Sequence, residues 1–398
     1  MERLFENSDL ALSTAKSFKF KRYLFKQLLE ANMRMISILG ARGVGKTVLM
    51  LQMLDSLKLP PQQAIYISLD DTYFAENRLI DFANQFRKLG GKWLFIDEVH
   101  KYPFWAQELK NIYDFYTDLK IVFSGSSILE LSKAEADLSR RALAFELMPL
   151  SFREFVALKH GINLPVFSIK EIVERHQEIA SELKSHFLPI KAFNEYVRFG
   201  AYPFFLESEQ YYILKLKQII NLTLETDLPA IENVRFLSIY KLKKLLTILA
   251  ESSPFKPNIE QLAKELKTSR DKLLRYLYLL HKARLITQIR TEQIGNAYMR
   301  KPEKIVLNNP NLSFALTDKS PDIGSLRETF FVSQISARYP VLYAKKGDYV
   351  VTDYLFEIGG KSKTQKQIAG ETDAFIAADN IEIGFGNKIP LWMFGFLY

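Results

Sequence analysis

The stretch of sequence that decides the fold reads Gly40-Ala41-Arg42-Gly43-Val44-Gly45-Lys46-Thr47. It follows a short apolar run, residues 35–39, and precedes a segment with the apolar spacing of a helix, residues 47–57. A glycine-rich turn between a strand and a helix lets successive backbone N–H groups and the helix N-terminus face a phosphate group. The pattern therefore predicts that residues 40–47 form a P-loop and bind the phosphates of ATP.

Two side chains of this loop are expected to carry the chemistry. Lys46 should reach the β and γ phosphates, and Thr47 should place its hydroxyl on Mg²⁺. The loop pattern alone also occurs by chance in turns that contain glycine. A second motif is needed to decide between the two interpretations.

That second motif is Trp93-Leu94-Phe95-Ile96-Asp97-Glu98, an apolar strand that ends in two acids. Two carboxylates at the edge of a core repel each other and lose hydration, so a purely structural role explains them poorly. We predict that Asp97 holds Mg²⁺ and that Glu98 is the general base that activates the attacking water. Because neighbouring strand positions point to opposite faces, the two carboxylates should meet different atoms.

Strand and helix signals alternate over the first 150 residues, which predicts an α/β fold with a parallel sheet covered on both faces. The expected strands are 35–39, 64–69, 93–96 and 120–124, and the expected helices between them are 79–89 and 105–116.

Three further residues lie near the predicted site. Ser124, at the end of the fourth strand, could orient the water, with an ordinary Ser-Gly turn as the alternative. Arg141 could neutralise charge in the transition state, with a surface arginine as the alternative. His100 follows the acid pair closely, and we expect it to be structural and give it no catalytic role.

These motifs, together with Ser139-Arg140-Arg141 and the run 149–155, resemble bacterial and archaeal AAA-type ATPases that carry a C-terminal domain of unknown function. The segment 196–203 is similar to the Gly-Tyr-Pro element of that family. The family has Gly-Arg where this chain has Arg140-Arg141, which assigns the arginine position to Arg141. The resemblance implies an AAA-type core, a helical lid, a winged helix and a C-terminal domain related to PD-(D/E)XK nucleases.

The expected architecture is therefore an AAA-type P-loop NTPase sheet followed by a helical lid, a winged helix and a small α+β C-terminal domain. The expected boundaries are 1–32 for an N-terminal leader helix region, 33–150 for the ATPase domain, 151–237 for the lid, 238–308 for the winged helix and 309–398 for the C-terminal domain.

The expected winged helix has two helices with apolar faces and a basic outer surface. The apolar faces are formed by Leu262, Ala263 and Leu266 and by Leu273, Leu274, Leu277 and Leu280, and the outward cations are Arg270, Lys272 and Arg275. Such a second helix can enter the major groove of duplex DNA. The same fold also packs on protein, and both partners stay open.

A working nuclease of the PD-(D/E)XK type needs an acid on one strand and a Glu-x-Lys on the next. The nearest candidates are Asp348, Glu357 and Lys361. Two residues too many separate Glu357 from Lys361, and two of the intervening residues are glycines. We expect a degenerate, structural version of this domain.

The balance of charge favours an anionic partner, because 54 basic residues exceed 45 acidic ones and give a net charge of +9. ATP, nucleic acid and an acidic protein surface all fit. Basic and aromatic residues alternate over residues 16–26, which indicates either a nucleic-acid patch or, as the favoured interpretation, the solvated face of an N-terminal helix.

Two absences limit the classes of function. The chain has no cysteine, which excludes disulfides, thiolate metal sites and a cysteine nucleophile. No stretch approaches the roughly 20 apolar residues of a membrane span, so we expect a soluble, cytoplasmic protein without a membrane partner.

The sequence as a whole predicts an ATPase that acts as a nucleotide-driven switch on a protein or DNA partner. Two alternatives remain, a DNA-binding effector with a winged helix and an ATP-binding interaction module without significant turnover. No segment of the sequence identifies the partner or the oligomeric state.

Overall fold

The computed structural model describes residues 1–127, 138–231, 236–252, 254–291 and 300–398. The chain divides into two compact units. The first unit consists of Met1–Met148 and Glu225–Val234, and the second consists of Pro149–Leu224 and Arg235–Tyr398. The chain thus leaves the first unit after Met148 and later returns to it. We call residues 225–231 the return segment.

A five-stranded parallel sheet forms the centre of the first unit. Its strands are β1 (Met35–Gly40), β2 (Ala64–Ser68), β3 (Trp93–Asp97), β4 (Lys120–Ser126) and β5 (Leu143–Glu146), in the order β2-β3-β4-β1-β5. All six residues of β1 are buried, as expected for a parallel strand covered on both faces. The predicted fold class is confirmed, and β5 is a strand that the sequence analysis did not predict.

Helices accompany this sheet in the described part of the first unit. They are α1 (Glu2–Ala15), α2 (Leu24–Glu30), α3 (Lys46–Ser56), α4 (Tyr73–Glu76), α5 (Leu79–Lys88) and α6 (Trp105–Phe115). The amphipathic helix α5 shows why they form, because Leu79, Phe82, Ala83 and Phe86 recur at helical spacing and are all buried. A 3₁₀ turn at Val99–Lys101 follows β3, and a short helix at Leu228–Ile231 lies in the return segment.

The order of the strands brings the predicted site residues to one edge of the sheet. Strand β4 lies between β1 and β3, so the strand that leads into the P-loop and the strand that ends in Asp97 flank the same neighbour. Ser124 of β4 pairs with Ile38 of β1, two residues before the loop begins. The carboxyl ends of the three strands therefore meet at this edge.

The N-terminal basic stretch differs from the prediction of a solvated helix face over residues 16–26. Helix α1 ends at Ala15 and α2 begins at Leu24, so much of the stretch is non-helical. Arg22 is buried, and its guanidinium donates to the carbonyl oxygens of Val44 at 2.6 Å and Met148 at 2.7 Å. A helix was the wrong interpretation, because Arg22 turns inward to pair with carbonyls close to the P-loop.

The second unit begins with helices. They are α7 (Phe152–His160), α8 (Ile169–Lys184), α9 (Pro189–Phe199) and α10 (Tyr212–Leu222). Ser151 and Glu154 form a capping box at the start of α7. Phe152 packs edge to face against Tyr196 and Phe396, so one aromatic core joins the beginning and the end of this unit. Among all the helices that the structure describes, none is both long enough and apolar enough to span a membrane.

A helical module with a two-stranded sheet follows in the second unit. It contains α11 (Phe236–Glu251), α12 (Ile259–Glu265), α13 (Arg270–Lys282) and the antiparallel strands β6 (Ile286–Ile289) and β7 (Lys304–Leu307). The predicted apolar faces of α12 and α13 are buried. Arg270, Lys272 and Arg275 are exposed, as predicted.

The chain ends in a mixed five-stranded sheet with the order β12-β11-β10-β9-β8. The strands are β8 (Val341–Tyr343), β9 (Tyr349–Val351), β10 (Tyr354–Gly359), β11 (Ala374–Ala378) and β12 (Lys388–Pro390). Helices α14 (Asn311–Leu316) and α15 (Ile323–Ile335) precede it. Pairing is antiparallel from β8 to β10 and parallel from β10 to β12.

His281, at the end of α13, makes the second unit sensitive to acid. Burial, together with the charge of Arg284, lowers the pKa of His281 to about 3, whereas an unfolded histidine titrates near 6.5. The unfolded state therefore binds the extra proton between these values, and stability present above about pH 6.5 is lost as the pH falls. We expect His281→Gln, which cannot titrate, to reduce the loss of Tm between pH 7 and pH 5 by about 2 °C. An equal loss of Tm in both proteins, measured by circular dichroism, would contradict this assignment.

Candidate functional site

The loop of residues 40–47 joins β1 to α3, as predicted. Gly43 and Gly45 have φ angles of 85° and 98°, in the left-handed region that side chains with a β-carbon disfavour. Gly45 is the N-cap of α3, so the positive end of the helix dipole points to the loop. This local structure is suited to bind an anion.

Lys46 is buried within the loop. Its ammonium donates to the carbonyl oxygens of Gly40 at 2.9 Å and Ala41 at 3.1 Å. Burial lowers the pKa of Lys46, although the carboxylates of Glu98 and Asp97 oppose the shift. A buried cation at the N-terminus of a helix is placed to bind a phosphate group.

Asp97 accepts hydrogen bonds from several groups at the edge of the sheet. Thr47 Oγ1 donates to Oδ2 at 2.6 Å, and Ser124 Oγ donates to Oδ1. The backbone N–H of Glu98 lies 3.0 Å from Oδ1. The structure therefore brings Thr47, Asp97 and Ser124 together at the carboxyl edge of the sheet, where Ser124 contacts Asp97.

This donor set fits the Mg²⁺ that the fold implies. Thr47 and Asp97 supply a hydroxyl and a carboxylate in direct contact, the oxygen ligands that Mg²⁺ takes when it also binds phosphate oxygens. When bound there, Mg²⁺ would neutralise charge on those phosphate oxygens.

Tyr66 is a site residue that the sequence analysis missed. It lies on β2, which pairs with β3, and its hydroxyl donates to Asp97 Oδ2 at 2.9 Å. Burial and the Asp97 carboxylate raise the pKa of Tyr66 above its usual range, so the phenol keeps its proton as a donor. Sequence alone could place Tyr66 on a strand but could not show that this strand neighbours β3.

Glu98 does not continue the strand, and so the predicted alternation of its side chain with that of Asp97 does not apply. Strand β3 ends at Asp97, and Glu98 has a φ of 52°, a left-handed conformation that is uncommon for a residue other than glycine. The turn, and not the pleat of a strand, separates the two carboxylates. The side chain of Glu98 is 28% exposed, so water can reach it.

His100 lies against Glu98. Its Nε2 is 3.3 Å from Glu98 Oε2 and 3.7 Å from Asp227 Oδ1, and its side chain is 1% exposed. We predicted no catalytic role for His100, and the structure places its ring in contact with the predicted general base.

Asp227 of the return segment forms a two-pronged ion pair with Arg42 of the P-loop. Arg42 Nε lies 2.9 Å from Asp227 Oδ2, and Arg42 Nη2 lies 2.8 Å from Oδ1. Burial alone would raise the pKa of Asp227, but the nearby His100 and Arg42 hold it well below its usual range. No sequence motif marked Asp227, because its partner in the loop lies far away along the chain.

Arg141, the predicted arginine of the transition state, is held by Asp114. Its guanidinium donates to both carboxylate oxygens, at 2.8 and 2.9 Å. The hydrogen bonds from Arg141 lower the pKa of Asp114. A role for Arg141 at the nucleotide stays a prediction, and it would require this ion pair to open.

Glu357 pairs with a different lysine from the one that we predicted. Lys363, and not Lys361, pairs with Glu357. A β-carbon at position 359 would lie 2.6 Å from Lys363 Cγ, so the glycine provides the room in which the lysine chain lies. Lys361 was the nearest candidate along the sequence, but β10 ends at Gly359 and residue 361 lies in the turn that follows.

A second lysine pairs with two further carboxylates near Glu357. Lys304 pairs with Glu328 and, at 3.2 Å, with Asp348. Burial raises the pKa of both Glu328 and Glu357, and the Asp348 charge adds to the shift in each. Within the described parts of the chain, no group of three or more His, Asp or Glu side chains is arranged to hold a metal ion. Glu328, Asp348 and Glu357 are thus each paired with a lysine in this structure.

The fold and the site define a P-loop NTPase fold of the AAA type. Residues 32–156 match the family model described as an AAA domain, and residues 190–322 match a domain of unknown function. An uncharacterized protein of Methanocaldococcus jannaschii is 26% identical over 393 residues, covering 89% of this chain and 81% of the relative. A second uncharacterized protein of that organism is 28% identical over 247 residues, covering 60% of this chain and 51% of the relative.

Solved structures with partial similarity include the Walker-type ATPase PABY2304 of Pyrococcus abyssi, at a TM-score of 0.46 and 19% identity, covering 76% of this chain and 96% of that one. AMPPCP-bound DnaA of Aquifex aeolicus has a TM-score of 0.30 and 15% identity, covering 67% and 90%. The ORC1 protein of Aeropyrum pernix in complex with DNA has a TM-score of 0.32 and 12% identity, covering 74% and 91%. The assignment of the fold depends on the family match and on the sheet topology.

Proposed function

We propose that this protein binds ATP with Mg²⁺ in the loop of residues 40–47 and hydrolyses it. One observation carries the proposal, the contact between Thr47 and Asp97 directly before Glu98. A hydroxyl from the P-loop and the carboxylate at the end of β3 meet where the metal of a bound nucleotide would lie. The match of residues 32–156 to an AAA domain supports the same interpretation.

Each residue has a separate task in this proposal. Lys46 neutralises the β and γ phosphates, and the N–H groups of the loop bind their oxygens. Glu98 takes a proton from the attacking water, since it is the half-exposed acid beside the buried Asp97. Ser124, which already donates to Asp97, fixes the orientation of that carboxylate.

The test is release of phosphate from ATP by the full-length chain, with Mg²⁺ and again with excess EDTA. We expect turnover that depends on Mg²⁺. A chain that binds ATP in a fluorescence titration but releases no phosphate would be an interaction module, the alternative in which nucleotide binding is the whole activity.

We further propose that hydrolysis acts as a switch on a macromolecular partner. The expected parts are the helical lid of residues 151–237, the winged helix of residues 238–308 and a degenerate nuclease-like domain of residues 309–398. The three helices and two strands of residues 236–307 support the winged-helix interpretation.

Duplex DNA is one candidate for this partner. It is favoured by three exposed cations in the first two turns of α13, Arg270, Lys272 and Arg275. Each cation that contacts a phosphate should add about 1 to the slope of log K against log salt. We expect the triple alanine variant to reduce that slope by about 3 and to weaken binding uniformly across sequences. Fluorescence anisotropy at several salt concentrations measures both quantities.

A matched control removes three exposed cations of α8, Lys170, Arg175 and Lys184. This variant loses the same charge, so it should keep the wild-type salt slope if α13 is the contact. An unchanged slope in the Arg270, Lys272 and Arg275 variant would exclude the winged helix as the DNA-binding surface.

A further inference from the structure

Three distant parts of the sequence meet around one buried carboxylate in the first unit. Asp227 comes from the return segment, Arg42 from the P-loop and His100 from the turn after β3. The side chain of Asp227 is 1% exposed. The described parts of the chain thus carry an acid from outside the continuous AAA domain into contact with the nucleotide loop.

We propose that Asp227 is a positioning residue for ATP hydrolysis, and that it acts on Glu98 through the His100 ring. The inference depends on the proposed function, because it assigns Glu98 as the general base. It goes beyond that function by making the return segment a required part of the hydrolytic site.

The geometry of His100 supports this chain of contacts. Its Nε2 lies between the two carboxylates, at 3.3 Å from Glu98 Oε2 and 3.7 Å from Asp227 Oδ1. Neither ring nitrogen has a hydrogen-bond partner among the residues that the structure describes. The contacts of this ring with Glu98 and Asp227 are both made by Nε2, so a shift of either carboxylate changes the position of the ring relative to the other.

Arg42 holds Asp227, the residue at the opposite end of this chain of contacts from Glu98. Its guanidinium holds both oxygens of Asp227, the geometry in which an arginine restricts a carboxylate most strongly. With Asp227 held, the ring orients Glu98 Oε2 and leaves Oε1 as the oxygen that takes a proton from water. Because Arg42 belongs to the P-loop, the position of this acid is tied to the loop that binds the phosphates.

A purely structural ion pair is the competing explanation, since a buried pair that loses one partner destabilises a fold whatever its place. The two explanations differ in their kinetics. A structural role affects the yield of folded protein and its Tm, whereas a positioning role lowers kcat and leaves ATP binding in place.

The experiment compares full-length wild type with Asp227→Asn, which preserves side-chain size and one oxygen for Arg42. We expect kcat for phosphate release to fall by about 10- to 100-fold, the effect of a displaced reacting group. The Kd for ATP should change by less than about twofold. Asp118→Asn is the matched control, because it removes the carboxylate of the exposed Arg87–Asp118 pair in the same unit. Its kcat should equal that of wild type.

A double-mutant cycle with His100→Gln tests the path through the ring. Because Asp227 acts through His100, the double variant should be no slower than the slower single variant. If the losses of kcat in the two single variants multiply in the double variant, the path through His100 is wrong. An unchanged kcat in Asp227→Asn would overturn the proposal. Asp227→Ser takes its place in the cycle if the amide variant does not fold.

The outcome for wild type separates this inference from the proposed function. Turnover in wild type with an unaffected Asp227→Asn variant contradicts the inference alone. If wild type has no turnover above Glu98→Gln, both the function and the inference are wrong.

Discussion

Replacement of Glu98 with glutamine lowers kcat for ATP hydrolysis by about 100- to 10,000-fold, the usual contribution of a general base. The amide has nearly the same shape as the carboxylate but cannot accept the proton of the attacking water. Lys46, Thr47 and Asp97 keep their contacts, so the Kd for ATP should stay close to that of wild type. A phosphate-release assay and a nucleotide titration measure the two quantities.

Glu30→Gln is the control for this substitution. Glu30 is exposed at the end of α2, where its Oε1 lies 3.7 Å from Nζ of Lys26. Its substitution should have no effect on kcat. A Glu98→Gln protein that hydrolyses ATP at the wild-type rate would remove Glu98 from the mechanism. Loss of ATP binding together with kcat would instead assign Glu98 a role in holding the nucleotide.

Replacement of Lys46 with methionine weakens ATP binding by about 100-fold. The methionine chain fills the space of the lysine chain, but it removes the cation that the loop places against the phosphates. A hydrogen bond to a charged group contributes about 1.5 to 3 kcal/mol, which corresponds to roughly 10- to 150-fold in Kd. Burial lowers the pKa of Lys46, so a bound phosphate should raise it again and strengthen the contact.

Lys88→Met provides the comparison, because Lys88 is an exposed lysine in the last turn of α5. Its loss removes the same charge from the same unit and should leave the Kd for ATP unchanged. Equal weakening in both variants would show that net charge, and not the position of Lys46, controls binding.

Much of the first unit could be predicted because its strands are apolar runs with clear ends. The apolar run of residues 35–39 is followed by a glycine, and that of residues 93–96 is followed by a pair of acids. In both places a buried strand ends. Local chemistry decides such boundaries, so a single sequence contains them. Thr47 at the start of α3 and Asp97 at the end of β3 contact each other, because the loop before α3 and the end of β3 lie at the same edge of the parallel sheet.

Strand β5 and Tyr66 could not be predicted in the same way. Leu143–Glu146 is short and half exposed, and it becomes a strand by pairing with β1 at the sheet edge. Tyr66 reaches Asp97 because β2 lies beside β3. Strand order depends on packing across the whole sheet, and no local pattern encodes it.

The contacts of Asp227 and Lys363 also could not be predicted from a local pattern. Asp227 lies in a helical stretch with no motif, and its place in the site depends on the return of the chain to the first unit. Lys363 reaches Glu357 through a turn and through the space above a glycine. Both contacts follow from the path of the backbone, which spacing along the sequence does not determine.

The most direct measurement is the rate of phosphate release from ATP with Mg²⁺ by wild type and Glu98→Gln proteins, prepared and assayed side by side. The account predicts steady turnover by wild type and a rate at least about 100-fold lower for the variant. Equal rates in the two proteins, or no release by either, would contradict the claim that the loop of residues 40–47 and Glu98 form a hydrolytic site.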